Sequence, residues 1–194
     1  LREARMQASL ERARLWLYKC RIDHVACRKE IPHLTRYPTR LLEIESQTSV
    51  RLIETRGIKS DYACLSHCWG PEGNSKVLGT LKDNYETFKE NIPWSMMPAT
   101  FRDVVWFTFR LGITHIWIDS LCIVQDDLAD WDREGAIMAD IYTGCVVTLA
   151  ATVSLGADQG CLPERFTSSK TRFYGNILTL ASVSVAHCQS RQHM

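Results

Sequence analysis

An aspartate and a serine stand directly at the end of an apolar stretch of the chain. Residues 115–118 read His-Ile-Trp-Ile, and Asp119 and Ser120 follow at once. A carboxylate is costly to bury unless another group binds it or donates hydrogen bonds to it. Asp119 therefore has two possible roles, which are compatible: it accepts backbone N–H bonds that close a turn, or it holds a ribose hydroxyl, as acidic residues at strand ends do in nucleotide-binding folds. Ser120 is a second candidate for contact with the same ligand.

The segment Ser66–Gly73, with the sequence SHCWGPEG, is a second place where polar residues follow an apolar run. Trp69 has two possible uses, because an indole can close over a hydrophobic core or stack on an aromatic base such as adenine or nicotinamide. Gly70 either forms a tight turn or lets backbone amides approach a phosphate. The phosphate interpretation has little support, because the chain contains neither a G-x-G-x-x-G nor a Walker pattern.

Two sets of cysteine and histidine residues could do other chemistry. Cys122 with His67 could form a nucleophile and its base, but the apolar neighbours of Cys122 would raise the pKa of its thiol and favour an inert group. Cys20, His24 and Cys27 share one face of a predicted helix and are residue types that bind zinc. A structural zinc site needs a fourth ligand from elsewhere in the chain, so core packing is the preferred interpretation. No metal is therefore predicted.

The composition excludes several classes of protein. The chain has 194 residues, 45% of them hydrophobic and 23% charged, as in an ordinary globular domain. Lys and Arg number 23 against 22 Asp and Glu, so the basic surplus of a nucleic-acid-binding protein is missing. No apolar run reaches the roughly 18 residues of a membrane helix, and the charged start lacks a secretory signal. We expect a soluble cytoplasmic protein that partners neither nucleic acid nor membrane, with reduced cysteines, and Leu1 as first residue indicates a fragment.

Apolar periodicity places the candidate residues on alternating strands and helices. Helices are predicted at 5–27, 100–112 and 130–144, and strands at 48–55, 62–66, 114–118 and 145–153. Thr100 and Asp103 have the spacing of a capping box for the second helix, and Gly112 would end it. The end of the chain contains a possible strand at 176–186 and is otherwise left unassigned.

This order of elements is typical of an α/β fold with a mostly parallel central sheet, flanked by helices and preceded by an N-terminal helical extension. Ligands of such sheets bind beyond the carboxyl ends of the strands. Two predicted strands end at the candidates described above, so we expect one crevice to be lined by Ser66, His67, Asp119, Ser120 and Cys122.

Long stretches of the chain resemble the fungal heterokaryon incompatibility (HET) domain. The resemblance is carried by six segments: Trp16–Cys27, Tyr37–Ile44, Tyr62–Gly70, Met97–Val105, Leu111–Ala151 and, more weakly, Gly160–Phe166. His67 stands where the family pattern usually has tyrosine. The resemblance fades after Phe166, which divides the chain into an N-terminal helix and connector at 1–47, a HET core at 48–166 and an unassigned tail at 167–194.

The resemblance implies a part in fungal nonself recognition, in which fusion of incompatible cells triggers programmed cell death. HET domains are thought to resemble the Toll/interleukin-1 receptor (TIR) fold, which is flavodoxin-like. Some TIR domains cleave NAD at the nicotinamide bond. The resemblance thus implies a possible NAD glycohydrolase, for which NAD is the substrate and no bound cofactor is needed.

Cleavage of NAD requires a carboxylate that stabilises the oxocarbenium-like sugar as nicotinamide leaves. Glu134 is the first candidate, because the segment Trp131–Glu134 resembles the tryptophan-then-glutamate motif of TIR enzymes, with two intervening residues instead of three. Glu164 has the order along the chain that the TIR glutamate has, but in a poorer motif. The alternative for Glu134 is a solvated or ion-paired acid at a helix start, which the helix dipole favours.

Asp119 and Ser66 would hold ribose or phosphate in such an enzyme, with Ser120 and Gly70 beside them, and Trp69 would close the site. The second hypothesis is a non-enzymatic module that signals by binding another copy of itself or another incompatibility protein. Exposed apolar residues on the helix surfaces would favour the module. A polar crevice that contains a carboxylate of raised pKa would favour the enzyme.

Overall fold

The computed structural model describes residues 2–23, 36–69, 77–151, 157–161, 177–180 and 183–186. The helices are α1 (Arg2–Asp23), α2 (Tyr85–Glu90), α3 (Ala99–Arg110), α4 (Asp119–Cys122), α5 (Leu128–Gly135) and α6 (Met138–Gly144), with single 3-10 turns at Trp94–Met96 and Ala157–Gln159. The strands are β1 (Arg40–Ser46), β2 (Ser49–Glu54), β3 (Ala63–Ser66), β4 (His115–Trp117), β5 (Val147–Ala151), β6 (Ile177–Leu180) and β7 (Val183–Ala186). The predicted α/β class and the N-terminal helix are confirmed.

The strands form one mixed sheet in the order β2-β1-β4-β3-β5-β7-β6. β3 pairs in parallel with β4 and with β5, whereas the other four pairs are antiparallel. The prediction of a mostly parallel sheet therefore holds only for the three central strands. The outer strands form hairpins, which need only a short turn, whereas parallel neighbours need a long crossover.

The three central strands place the candidate residues. The chain runs from β3 outward to β4 and then returns across β3 to form β5 on its other side. This order corresponds to the first three strands of a flavodoxin-like sheet, and the point where it reverses lies at the carboxyl ends of β3 and β5. Ser66 is the last residue of β3, and Asp119 follows β4 by two residues. The ends of β3 and β4 therefore meet at one edge of the sheet, as predicted, whereas ligand binding at this edge and a closer relation to the TIR fold stay predictions.

The central strands are buried because helices cover them. Leu65, Trp117 and Leu149 are fully buried in β3, β4 and β5. Phe101 of α3 and Ile141 of α6 are buried in the same hydrophobic core. Strands that are covered on both faces need apolar side chains in both directions, which explains the continuous apolar runs in this part of the sequence.

Two details of the predicted helices are wrong. α3 begins after Pro98 without a side-chain cap, so Thr100 and Asp103 do not form a capping box. Asp103 instead accepts a hydrogen bond of 2.9 Å from the amide of Cys161, which fastens the segment after β5 to this helix. The helix predicted at 130–144 is two helices, α5 and α6, and Asp127 caps the first of them.

No helix in the described ranges is long and apolar enough to cross a lipid bilayer.

Candidate functional site

The Asp119 side chain links the ends of β3 and β4. Its Oδ1 atom accepts a hydrogen bond of 2.7 Å from the Ser120 amide, so the predicted turn-closing role is present. Its Oδ2 atom accepts a bond of 2.9 Å from the indole Nε1–H of Trp69, three residues beyond the end of β3. Both oxygens thus have a partner, while 19% of the side chain is exposed to solvent. This arrangement leaves an oriented carboxylate at the edge of the sheet where β3 and β4 end.

His67 lies beside this carboxylate, with its Nδ1 atom 3.9 Å from Asp119 Oδ1. Its ring stacks on Trp69 at a centroid distance of 6.4 Å and meets the edge of Phe101 at 5.2 Å. Neither ring nitrogen has a hydrogen-bond partner among the described residues. Burial lowers the pKa of His67, and the nearby Asp119 charge offsets this only in part. The imidazole is therefore neutral at pH 7.

Two serines complete the group. Ser120 is buried, and its hydroxyl finds no partner in the part of the chain that the structure describes. Ser66 is exposed at the end of β3. Gly70, the other predicted contact, lies outside the described residues. We call Ser66, His67, Trp69, Asp119 and Ser120 the strand-end crevice, after the crevice that the sequence predicts at this edge of the sheet.

Glu134 belongs to a different group of residues. It is fully buried near the end of α5, and its Oε1 atom accepts a hydrogen bond from the Thr39 hydroxyl just before β1. Its Oε2 atom is buried without a partner among the residues described. The interpretation of Glu134 as a solvated acid at a helix start is therefore wrong, because β1 and its lead-in cover this face of α5. Glu164 lies outside the described residues.

A buried ion pair lies next to Glu134. Arg40, at the start of β1, pairs with Asp130 of α5, and the two side chains are only 6% and 2% exposed. Arg40 also donates through Nε to the Cys122 carbonyl at 2.7 Å. Burial alone would raise the pKa of Asp130, but the Arg40 guanidinium and the Val124 amide outweigh this and hold it below its usual value. The pair thus joins β1, α4 and α5 behind the crevice.

A comparison with models of protein families shows the family to which the chain belongs. The model of the family described as heterokaryon incompatibility protein (HET) matches residues 62–192. The chain belongs to this family. The match includes the strand-end crevice and Glu134, and it continues beyond residue 166, where the sequence resemblance fades. No curated protein and no solved structure matches the chain.

The HET domain does not present Cys122 as a nucleophile. The thiol is fully buried, and burial raises its pKa to about 12. A thiol with this pKa is almost entirely protonated at neutral pH, and the thiolate is the reactive form. The inert interpretation of Cys122 is confirmed.

The predicted zinc candidates are only partly described. Cys20 is buried in α1, as core packing requires, while His24 and Cys27 lie outside the described residues. Across the ranges that the structure covers, no three His, Cys, Asp or Glu side chains are grouped as a metal site would need.

Sequence reasoning missed the partners of Asp130 and Glu134, the two buried acids of α5 in this HET domain. Arg40 directly precedes the apolar pair Leu41 and Leu42, and a charged residue beside apolar residues can indicate a buried partner. The signal does not say which acid is the partner, because Asp130 lies 90 residues further along the chain. Nothing in the sequence around Thr39 indicates that it bonds to Glu134.

Proposed function

We propose that this HET domain is a cytoplasmic effector of fungal heterokaryon incompatibility that triggers programmed cell death by cleaving NAD at the nicotinamide–ribose bond. The observation that supports the enzyme is the strand-end crevice. An oriented carboxylate, Asp119, stands there beside polar atoms of His67 and Ser120 that have no partner among the described residues. Buried polar atoms nearly always have hydrogen-bond partners, so a group of such atoms at a strand end is a suitable place for a polar ligand.

In the proposed reaction, the bond between ribose C1′ and the nicotinamide nitrogen breaks, and its electron pair leaves with nicotinamide. The ribose becomes an oxocarbenium-like cation, which Asp119 stabilises until water attacks C1′ and releases one proton to the solvent. Trp69 fixes the orientation of the carboxylate through its indole N–H and offers a ring face for the nicotinamide. The exposed hydroxyl of Ser66 holds ribose or phosphate, and Gly70 and Ser120 line the same edge. NAD is the substrate, and no cofactor is required.

The burial of the two candidate carboxylates supports Asp119 over Glu134, which was the first candidate from the sequence. Asp119 is partly exposed, whereas Glu134 is fully buried and bonded to Thr39. Glu134 can meet a substrate only after that bond breaks and α5 moves away from β1. The proposal therefore assigns the stabilising carboxylate to Asp119 and keeps Glu134 as the second candidate.

The test is nicotinamide release from NAD by the purified domain, both dilute and clustered on an oligomeric carrier. Asp119→Asn should abolish the release, and Glu134→Gln should retain it wherever the variant folds. Asp132→Asn is the matched control, because Asp132 is an exposed acid on the same helix as Glu134. Loss in Glu134→Gln but not in Asp119→Asn would move the reaction to the second carboxylate. No release from folded wild-type protein in either state would contradict the NADase.

One observation favours the non-enzymatic alternative. Leu15, Tyr18 and Ile22 of α1 are 56%, 65% and 44% exposed, and they lie three and four residues apart. This spacing puts them on one helix face, opposite the buried Leu10 and Ala13. A continuous apolar stripe on a surface is typical of a binding site for a second protein or a second copy.

Self-association would be measured as the molar mass of the purified protein by light scattering over a range of concentrations. The double variant Leu15→Glu/Tyr18→Glu should remain monomeric if the stripe joins two copies. Leu128→Glu removes an apolar residue that is 84% exposed elsewhere, and it should leave the association unchanged. A wild-type protein that is monomeric at every concentration would contradict the self-associating module.

A further inference from the structure

Two cysteine thiols lie side by side beneath α6. Cys64 is in β3, and Cys145 directly follows α6. The Cys64 thiol donates to the Ile141 carbonyl at 3.7 Å, and the Cys145 thiol donates to the Tyr142 carbonyl at 3.2 Å. These two carbonyls belong to consecutive residues, and each thiol shifts the pKa of the other. The two sulfur atoms are therefore neighbours.

The register of the sheet places both thiols on the same face. Cys64 stands opposite Thr148 in the parallel pairing of β3 with β5. The Thr148 hydroxyl lies 3.3 Å from the Cys145 sulfur. The amide of Val146 donates to the Tyr62 carbonyl at 2.8 Å, which holds the chain after α6 against the start of β3. Neither thiol would have to cross the sheet to reach the other.

The two thiols differ in reactivity. The neighbouring Cys64 thiol and Thr148 hydroxyl lower the pKa of Cys145, although burial opposes them. Burial raises the pKa of Cys64. Cys145 is also partly exposed, whereas Cys64 is fully buried. An oxidant therefore reacts first with Cys145, the more accessible and more acidic thiol, and Cys64 can then attack the oxidised sulfur to form a disulfide.

We infer that Cys64 and Cys145 form a redox-sensitive thiol pair that a peroxide converts to a disulfide. The Cys145 thiolate attacks one oxygen of hydrogen peroxide, the O–O bond breaks, and hydroxide leaves and is protonated to water. The Cys64 sulfur then attacks the sulfur of the Cys145 sulfenic acid, the S–O bond breaks, and a second water leaves with the Cys64 proton. Two thiols are oxidised by two electrons, and one peroxide is reduced to two waters.

This modification would act close to the strand-end crevice. Cys64 lies two residues before Ser66, and Tyr142 donates through its hydroxyl to the Leu65 carbonyl at 3.0 Å. A disulfide would add a covalent link from the end of β3 to the chain that enters β5. The inference does not depend on NAD cleavage, because it rests on the two thiols alone.

The test uses the whole chain and hydrogen peroxide. Treated protein is unfolded in the presence of an alkylating agent, its free thiols are counted, and its peptides are identified by mass spectrometry. Wild-type protein should lose two thiols and yield a Cys64–Cys145 peptide pair that dithiothreitol separates. Cys64→Ala should stop at a sulfenic acid on Cys145, trapped by dimedone, and Cys145→Ala should show no loss at the same dose.

Cys68→Ser is the matched control, because Cys68 is an exposed cysteine near the same strand, and it should behave like wild type. If an alanine variant fails to fold, the peptides of the oxidised wild-type protein alone show whether Cys64 and Cys145 form a disulfide. Oxidation confined to Cys68, or a disulfide between any other two cysteines, would overturn the inference.

Discussion

Replacing Arg40 by methionine should destabilise the domain strongly, because Asp130 would be left buried without its main partner. Removing one member of a buried ion pair costs about 3–5 kcal/mol. The exposed fractions of 6% and 2% place this pair in that class. Arg133, whose side chain is 55% exposed, contacts the other oxygen of Asp130 and can hold part of the charge. We therefore expect a loss near 3 kcal/mol, which lowers the folding equilibrium constant by roughly two powers of ten.

The matched control is Arg51→Met, which removes the ion pairs of Arg51 with Glu43 and Glu45 at the surface of the same sheet. The Arg51 and Glu43 side chains are 41% and 30% exposed, and such pairs contribute about 0–1 kcal/mol. Equilibrium unfolding in urea, followed by circular dichroism, gives the free energy of unfolding of each variant. If the two variants lose free energies of unfolding that differ by less than about 1 kcal/mol, the buried ion pair contributes no more than a surface pair does, and the expected effect of its burial is refuted.

The pH dependence of the Arg40→Met deficit is a second check. The pKa of Asp130 in the folded wild-type domain is below its unfolded value of about 3.9, so the stabilisation is fully present above that value and is lost as the pH falls through the folded pKa. In the variant, protonation of Asp130 removes the unpaired buried charge. The deficit should therefore shrink between pH 7 and pH 4, and a deficit that grows would contradict the electrostatic origin.

Three further outcomes are expected. Trp69→Phe removes the indole donor to Asp119 and should lower the free energy of unfolding by about 1–2 kcal/mol. Hydrogen bonds to charged groups contribute about 1.5–3 kcal/mol, and this one is partly exposed. An unchanged urea midpoint would show that the bond does not stabilise the domain. Iodoacetamide at pH 8 should label Cys68 in the folded protein and leave Cys122 unlabelled, as peptide mass spectrometry would show; rapid labelling of Cys122 would contradict its burial. His67 should take up its proton at a lower pH in the folded domain than in the unfolded chain, where its pKa is near 6.5. Stability should therefore fall as the pH is lowered from 7 to 5, and His67→Phe should reduce that fall in urea titrations.

The sequence was sufficient for the elements whose pattern is local. α3, β3, β4 and β5 were predicted at nearly their observed positions, because each is an uninterrupted apolar or periodic run. β1 was not predicted, since charged residues at Arg40, Glu43 and Glu45 break its pattern and two of them are neutralised only by Arg51 of β2. The direction of the outer strands depends on hairpin pairing, which no single segment encodes.

In the candidate site, too, the features that depend on local sequence were predictable and those that depend on distant contacts were not. The position of Asp119 at a strand end follows from the local sequence, and the loop that holds Trp69 follows β3 for the same reason. The burial of Glu134 depends on Thr39, which lies 95 residues away along the chain. Contacts over such separations are decided when the sheet assembles, so the spacing within α5 could not indicate whether Glu134 meets solvent.

The place of β1 in the sheet has a consequence for defining the smallest stable unit. The family match begins at residue 62, yet β1 pairs with β4 and supplies Arg40 to Asp130. A recombinant protein that began at residue 62 would leave the backbone of β4 open along one edge and would remove the buried partner, Arg40, of Asp130. Sheet edges of this kind readily pair with other chains. The boundary of similarity is therefore not a boundary of folding, and a truncated protein that aggregates would say nothing about the activity of the domain.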